Sequence, residues 1–588
     1  MPGAAAARRR ELRLAAGVSL CYLACAAVVM MRLWRAPASS IVTGNPNDAD
    51  QFAWYLRYGA SAVAHLRLPS LVTGAMNAPQ GINVMANPSM LLPAVVLAPL
   101  TLLAGPQVSL TVLMTLGFAG SAAAMFWVLR RWEAAAGPAA FGGLVYGFCP
   151  ALTQSAIGHY DLQFAVLPPL IADAFFRLLT GRYQRGPARC GARLGLLATA
   201  QLFIAEELLL EVCAGLIVAG VTLAASRPRA VRARVREVTA GLAAGLAVTA
   251  LIAGPVLWTQ FLGPLHGSGS PYSPDFFKND LAGFVQPSSS EWIHTGSSAA
   301  FAGRFQGGPA EYLAYLGGSA LVVSLMLAVR FWRLLAVRVS AVVFAVLSVL
   351  SLGGTLLLGG HGHSWLKLPW YWVQTLPVLG SAMPDRFSIV ADCAVAALLA
   401  LGLDAWLRRA PKSAVWFVPA LALAVALPLI PRPLPATSVE PLPAGWRQAF
   451  AALHLPAGAS VLVVPIPTGT LTQAMRWQAG TGTPASLYGG YFIGPAWNGQ
   501  VYVGGNGLPA AGQYLNQLWA QSAGVTIGSQ PVRPVPSSAQ LLAAIATWHP
   551  AAVVVVTAVH SALGELLTAL LGPPSTVNGA VLGWRLVR

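Results

Sequence analysis

The sequence predicts a mainly α-helical, polytopic membrane protein with about 11 transmembrane helices, two long outer loops and a small exported α/β domain at its C-terminus. Three observations lead there. Of 588 residues, 56% are hydrophobic and only 9% charged, and the mean hydropathy is +0.63, outside the usual range of soluble proteins. Apolar runs approaching the roughly 20 residues that cross a bilayer recur along the first 430 positions. Short basic clusters separate alternate runs. Arg supplies 33 of the 36 basic residues behind the formal net charge of +17. That spacing sets topology and does not build a groove for nucleic acid, so no nucleic-acid partner is expected.

The candidate spans are residues 14–31, 107–129, 138–156, 162–179, 194–205, 208–225, 238–259, 314–332, 339–358, 387–406 and 413–430. Arg8, Arg9, Arg10 and Arg13 precede the first run, which resembles a signal peptide but is long enough to remain as a first helix. Met90–Ala104, flanked by Pro88 and Gly105, reads as a juxtamembrane or re-entrant helix. With that choice, 22 of the 36 basic residues fall in alternate loops on one side, which predicts a cytoplasmic N-terminus and an exported tail in a multi-pass cell-membrane protein. The long outer loops then cover about residues 32–106 and 260–313.

After the transmembrane domain (1–430), a Pro-rich linker (431–439) leads to the exported domain (440–588). There "SVLVVPI" and "AAVVVV" read as buried strands, "SALGELLTALLG" as a helix and "VLGWRLV" as a closing strand. The six cysteines, Cys21, Cys25, Cys149, Cys190, Cys213 and Cys393, lie outside the exported segments and imply neither a disulfide framework nor a metal cluster.

Acids number only 19, so their placement is informative. Asp48, Asp50, Asp161, Glu206, Glu207, Asp275, Asp280, Glu291, Glu311 and Asp385 all fall at the outer membrane-proximal face, whereas the exported domain owns Glu440 and Glu565 alone. Acid or base chemistry therefore belongs at that face. Asp173 with Arg177, and Asp404 with Arg408, are spaced i to i+4 as structural pairs. Glu206 and Glu207 are candidates for an acceptor or metal contact, and a loop facing lipid headgroups explains them equally well. His159 and Asp161 in "GHYDLQ" suit a substrate or a divalent metal as well as ordinary hydrogen bonding at a helix entry. In "MPDRF", Asp385 suits a helix first turn, but Arg386 sits at the wrong end of the dipole and calls for an anionic partner, a lipid phosphate or the surroundings of Asp385. In "GNPNDADQFAWYLRY", Asp48 can cap a helix starting near Ala49, whose Phe52, Trp54, Tyr55 and Tyr58 suit an interfacial aromatic belt.

This order of elements resembles the GT-C glycosyltransferases: a first span, an outer loop opening with the acidic motif "NDAD", a juxtamembrane helix, more spans, a second outer loop and an exported C-terminal domain. "GHYDLQ", "MPDRF" and the tail stretch "AMRWQAGTGTPASLYGGYFIGP" resemble elements of bacterial transferases of that kind. The resemblance implies transfer of a sugar from a polyprenyl-phosphate donor to a glycan, lipid or protein acceptor at the outer face, within the membrane lipids. It implies Asp48 or Asp50 as general base and Arg386 as phosphate ligand, helped by His159 or Lys278. Trp477, Gln478, Tyr488 and Tyr491 then line a glycan surface or fill the domain core. The absence of a G-x-G-x-x-G or Walker sequence agrees with a donor that is not a nucleotide. A transporter or lipid flippase, and an inactive glycan-binding scaffold, are the competing readings. Clustering of the acids at one face, rather than at the membrane midplane, weighs against transport.

Overall fold

The computed structural model describes residues 2–376, 379–409, 416–483, 485–528 and 531–586, with side chains from residue 9 onward. Each of the eleven expected apolar segments contains a helix. Five helices are by themselves long and apolar enough to cross a membrane: Arg9–Val29, Pro106–Arg131, Glu206–Ser226, Val235–Leu262 and Pro384–Arg409. The rest are shorter, among them Leu167–Thr180, Pro187–Leu202, Gly318–Arg330, Leu335–Ser351 and Phe417–Leu429. Pro106–Arg131 and Pro384–Arg409 are the most deeply enclosed, and the other elements pack around them.

Several expected boundaries move for local reasons. The segment 138–156 splits into Ala136–Gly147 and Pro150–Ser155, because Pro150 drives Cys149 out of the helical region. The run 339–358 ends as a helix at Ser351, and Thr355–Leu358 instead pairs antiparallel with His361–Lys367. The juxtamembrane run becomes two short helices, Leu91–Val96 and Ala98–Ala104.

The helix Pro46–Ala64 is not an interfacial belt. Phe52, Trp54 and Tyr55 are buried, and Asp48 lies within the helix rather than at its cap, which is Asn45. Apolar residues all round a helix mean that it is enclosed on all sides. Here the membrane bundle takes one side and the C-terminal α/β unit the other: Trp54 and Tyr55 share a core with Trp446, Val461, Met475 and Trp477.

That α/β unit is built on a five-stranded sheet in the order Thr576–Asn578, Val581–Arg585, Ala552–Val556, Ser460–Val464, Ser486–Leu487. Ala552–Val556 runs parallel to Ser460–Val464 and antiparallel to Val581–Arg585. The continuous apolar runs follow from burial on both faces. Val461, Val463, Ala552 and Val554 face the first-loop aromatics, while Leu462, Val464, Val553 and Val555 face Leu515, Trp519, Leu541 and Leu567 on the helices behind.

Residues 431–439, the Pro-rich linker, form a strap along the bundle. Ala436–Ser438 pairs antiparallel with Ser40–Val42, and Leu434 donates to the Val29 carbonyl at 2.9 Å. Proline is compatible with such an edge strand, where its missing N–H faces no partner.

The unit is docked through the helix Gln473–Thr481. Arg476 makes a two-point contact with Asp50, Nε to Oδ1 at 2.7 Å and Nη2 to Oδ2 at 2.8 Å, and Thr472 donates to the same carboxylate at 2.6 Å. Trp54 Nε1 donates to Gln478 Oε1 at 2.6 Å, and Gln51 Nε2 to the Tyr491 carbonyl at 3.0 Å. Asp50 is fully buried, so loss of its guanidinium leaves an uncompensated charge, at a cost of about 3–5 kcal/mol. Arg476→Ala is therefore expected to lower the unfolding temperature and to expose residues 431–445 to limited proteolysis; unchanged values in both measurements contradict this docking.

Candidate active site

Six separate segments bring polar groups together at one end of the bundle. Asp48 comes from the first turn of Pro46–Ala64, His159 and Asp161 from the short turn before and within Tyr160–Gln163, and Glu207 from the first turn of Glu206–Ser226. Glu311 ends the 3-10 turn Pro309–Glu311, and Arg386 ends Pro384–Arg386. The docked α/β unit supplies Tyr491.

Glu311 is the hub. Its Oε1 accepts from His159 Nε2 at 2.9 Å and from Arg386 Nη2 at 2.5 Å, and its Oε2 from Arg386 Nε at 3.3 Å. Arg386 Nη1 also donates to Glu207 Oε2, while Glu207 Oε1 accepts from the Met383 N–H at 2.8 Å. The anionic partner that the position of Arg386 calls for is thus a pair of carboxylates, where the sequence also allowed a lipid phosphate. Asp385 lies fully buried beside Glu311. Burial would raise Glu311, but Arg386 and His159 override it and hold the carboxyl well below its ordinary range. Burial would likewise depress His159, and the Glu311 charge overrides it and raises the imidazole.

Asp48 stands beside this ladder. Tyr491 donates to its Oδ1 at 2.6 Å, Asn45 Nδ2 donates to its Oδ2, and a Cβ added to Gly158 would lie 2.8 Å from Oδ2. Burial raises its carboxyl, against the opposing pull of His159 and the Tyr491 hydrogen bond. Asp161 is pushed up to about 6, chiefly by burial and against the pull of His159 and Arg386. Tyr272 is close enough for its phenol to be raised by Asp48 and Glu311, after burial.

The other sequence candidates lie elsewhere. Asp50 spends both oxygens on Arg476 and Thr472, facing the α/β unit. Lys278 Nζ is 2.7 Å from Asp275 and 2.5 Å from Thr355, where it ties two loops together. Glu206 accepts from Gln260 at 2.7 Å, on a different side of its helix from Glu207. Trp477 is buried core against Trp446, and the half-buried Tyr488 packs on Trp548. Tyr491 was legible only as an aromatic of the tail; nothing local indicates that its hydroxyl meets Asp48. Among the described residues no three His, Cys, Asp or Glu side chains are grouped to hold a metal ion.

The chemical content is a buried carboxylate of raised basicity, Arg386 and His159 gathered on the neighbouring Glu311, and an excess of acids around them. Such a site can take a proton from a hydroxyl and meet developing negative charge with Arg386 and His159.

The architecture is similar to the GT-C fold of solved membrane glycosyltransferases. Among solved structures, the chain superposes with a TM-score of 0.53 on the arabinofuranosyltransferase AftD from mycobacteria, at 15% identity over 98% of this chain and 42% of that one. The archaeal oligosaccharyltransferase AglB from Archaeoglobus fulgidus aligns over 92% of this chain and 69% of that chain, at 12% identity and a TM-score of 0.46. The chain spans less than half the length of AftD, and the likeness is one of fold. No family model and no curated protein sequence matches it.

The ladder makes stability depend on pH in a defined sense. A raised histidine contributes below its unfolded value of about 6.5 and loses that contribution as pH rises through its folded value; a depressed glutamate contributes above about 4.3 and loses it as pH falls through its folded value. The difference in unfolding temperature between wild type and His159→Gln should therefore be largest near pH 5–6 and shrink at higher pH. A difference that grows as pH rises contradicts the pairing.

Proposed function

We propose that this protein is a membrane glycosyltransferase that moves a sugar from a polyprenyl-phosphate donor to a hydroxyl of a cell-envelope glycan, lipid or protein at the outer face of the membrane. The observation that carries this reading is the Asp48 carboxylate, held between Asn45 and Tyr491 beside the His159, Glu311 and Arg386 ladder at one end of an apolar helix bundle.

The chemistry follows from these groups. The acceptor oxygen attacks the anomeric carbon, its proton passes to Asp48, and the bond from that carbon to the phosphate oxygen breaks with its electron pair going to the phosphate. Arg386 and His159 lie where positive charge stabilises that departing group. Glu207, the more exposed of the two carboxylates on Arg386, is the one a phosphate displaces. Tyr491 keeps its proton because burial and the Asp48 charge raise its phenol far above the ordinary range, so it orients the base by donating to it. Both Asp50 oxygens accept from the α/β unit, and Asp50 is assigned to docking. The fold itself supports transfer over transport, and the ionisable groups that face one another at one end of the bundle agree with that.

The test is incubation of purified protein with polyprenyl-phosphate sugars and envelope glycan acceptors. Asp48→Asn should lower transfer by about 10²–10⁴-fold, the usual contribution of a positioned base; retention of full transfer excludes Asp48 from that role. Tyr491→Phe removes a hydrogen bond that favours the ionised base. The base limb, which needs deprotonated Asp48, should then move to higher pH in the pH–rate profile, and a limb that stays in place or moves lower shows that Tyr491 does not act on Asp48.

A further inference from the structure

At the other end of the helix Glu206–Ser226, about 30 Å from Glu207 by its 21-residue length, a second charged surface is assembled. The helices Pro187–Leu202 and Val235–Leu262 meet backbone to backbone: a Cβ on Gly191 would lie 1.7 Å from the Gly241 carbonyl oxygen, and one on Gly195 2.3 Å from that of Gly245. This contact forces the adjoining segments 181–193 and 227–236 together. The Arg234 guanidinium lies against Gly181, Arg234 pairs with Glu237 at 3.2 Å, and Tyr183 donates to the same carboxylate at 2.6 Å.

Glu237 is thereby consumed within the surface. Arg182, Arg185, Arg189, Arg193, Arg227, Arg229, Arg232 and Arg236 are all exposed. Among the described residues none of these eight side chains makes a hydrogen bond or ion pair with the protein. Elsewhere at this end Arg130 pairs with Glu11, Arg131 with Asp173 and Arg408 with Asp404, while the exposed Arg9, Arg10, Arg13, Arg330, Arg333 and Arg409 lie on other segments, away from this seam. A topology signal needs only an excess of charge, so a concentration of unpaired guanidinium groups at one glycine-packed seam requires its own account. The same seam continues along the bundle as an apolar wall, with Leu196, Leu242 and Leu246 exposed by 53%, 41% and 71%. Guanidinium groups beside unpartnered aliphatic side chains match a molecule with a phosphate at one end and acyl chains at the other.

We propose that this arginine shelf binds anionic phospholipids of the membrane, their phosphates pairing with the arginines of both segments and their chains lying on Leu196, Leu242 and Leu246. The test uses the full chain in neutral-lipid nanodiscs, titrated with phosphatidylglycerol or phosphatidylcholine and read by native mass spectrometry and unfolding temperature. Wild type should retain phosphatidylglycerol in preference to phosphatidylcholine. The variant R185Q/R189Q/R229Q/R232Q/R236Q should lose that preference by at least about tenfold, the Lys variant at the same five positions should keep most of it, and R330Q/R333Q should leave it unchanged. Equal retention of the two lipids by wild type, or undiminished phosphatidylglycerol binding by the Gln variant, overturns the proposal. An equal thermal shift from inorganic pyrophosphate overturns it in favour of a soluble-anion site. Should the Gln variant fail to assemble, wild type decides alone: a preference that fades at high salt supports the shelf, and one indifferent to salt contradicts it.

Discussion

The buried pair of Asp50 and Arg476 is the constraint on which the rest of the arrangement depends. It fixes the start of a helix near the N-terminus against a domain whose sheet begins more than 400 residues later. A carboxylate with no exposed surface has no solvent to fall back on, so the guanidinium and the Thr472 hydroxyl supply its hydrogen-bond partners. Once they do, Trp54 meets Gln478, Gln51 meets the Tyr491 backbone, and the Tyr491 hydroxyl is delivered to Asp48. One ion pair thereby positions the hydrogen-bond partner of Asp48, the proposed base, which lies two residues away on the same helix.

The membrane bundle supplies the other half. Glu311 draws His159 and Arg386 to one carboxylate, and Arg386 reaches on to Glu207, so three further segments converge on the same end of the bundle. The carboxyls respond in opposite ways. Two cations hold Glu311 low, while Asp48, which has neutral donors on its oxygens and burial around it, is raised. That separation is what a site needs in order to keep one acid as a fixed anion and another as a proton acceptor.

Much of the helical skeleton was legible in the sequence because helix signals are local. The apolar runs each yield a helix, and the i to i+4 pairs Asp173–Arg177 and Asp404–Arg408 form at 3.0 and 2.8 Å. The tail strands were legible for the same reason, since burial on both faces leaves a continuous Val and Leu run. The docking was not. Asp50 and Arg476 are 426 residues apart, and Asp48 and Tyr491 443 apart, with no local pattern to relate them. The four aromatics of "FAWYLRY" were open to reading as a membrane belt because a ring buried under a second domain and a ring at a lipid interface are the same in sequence. Proline marks "PRPLPATSVE" as a linker but does not foretell its pairing, which an edge strand tolerates when the paired N–H groups belong to its neighbours.

The central claim is a division of labour within "NDAD": Asp50 holds the domain, Asp48 does the chemistry. Its most direct measurement compares Asp48→Asn and Asp50→Asn side by side for unfolding temperature and for sugar transfer from a polyprenyl-phosphate donor. The account predicts that Asp48→Asn unfolds near the wild-type temperature yet loses transfer, and that Asp50→Asn unfolds at a markedly lower temperature while its remaining folded fraction still transfers. A stable, inactive Asp50→Asn beside an active Asp48→Asn would contradict it.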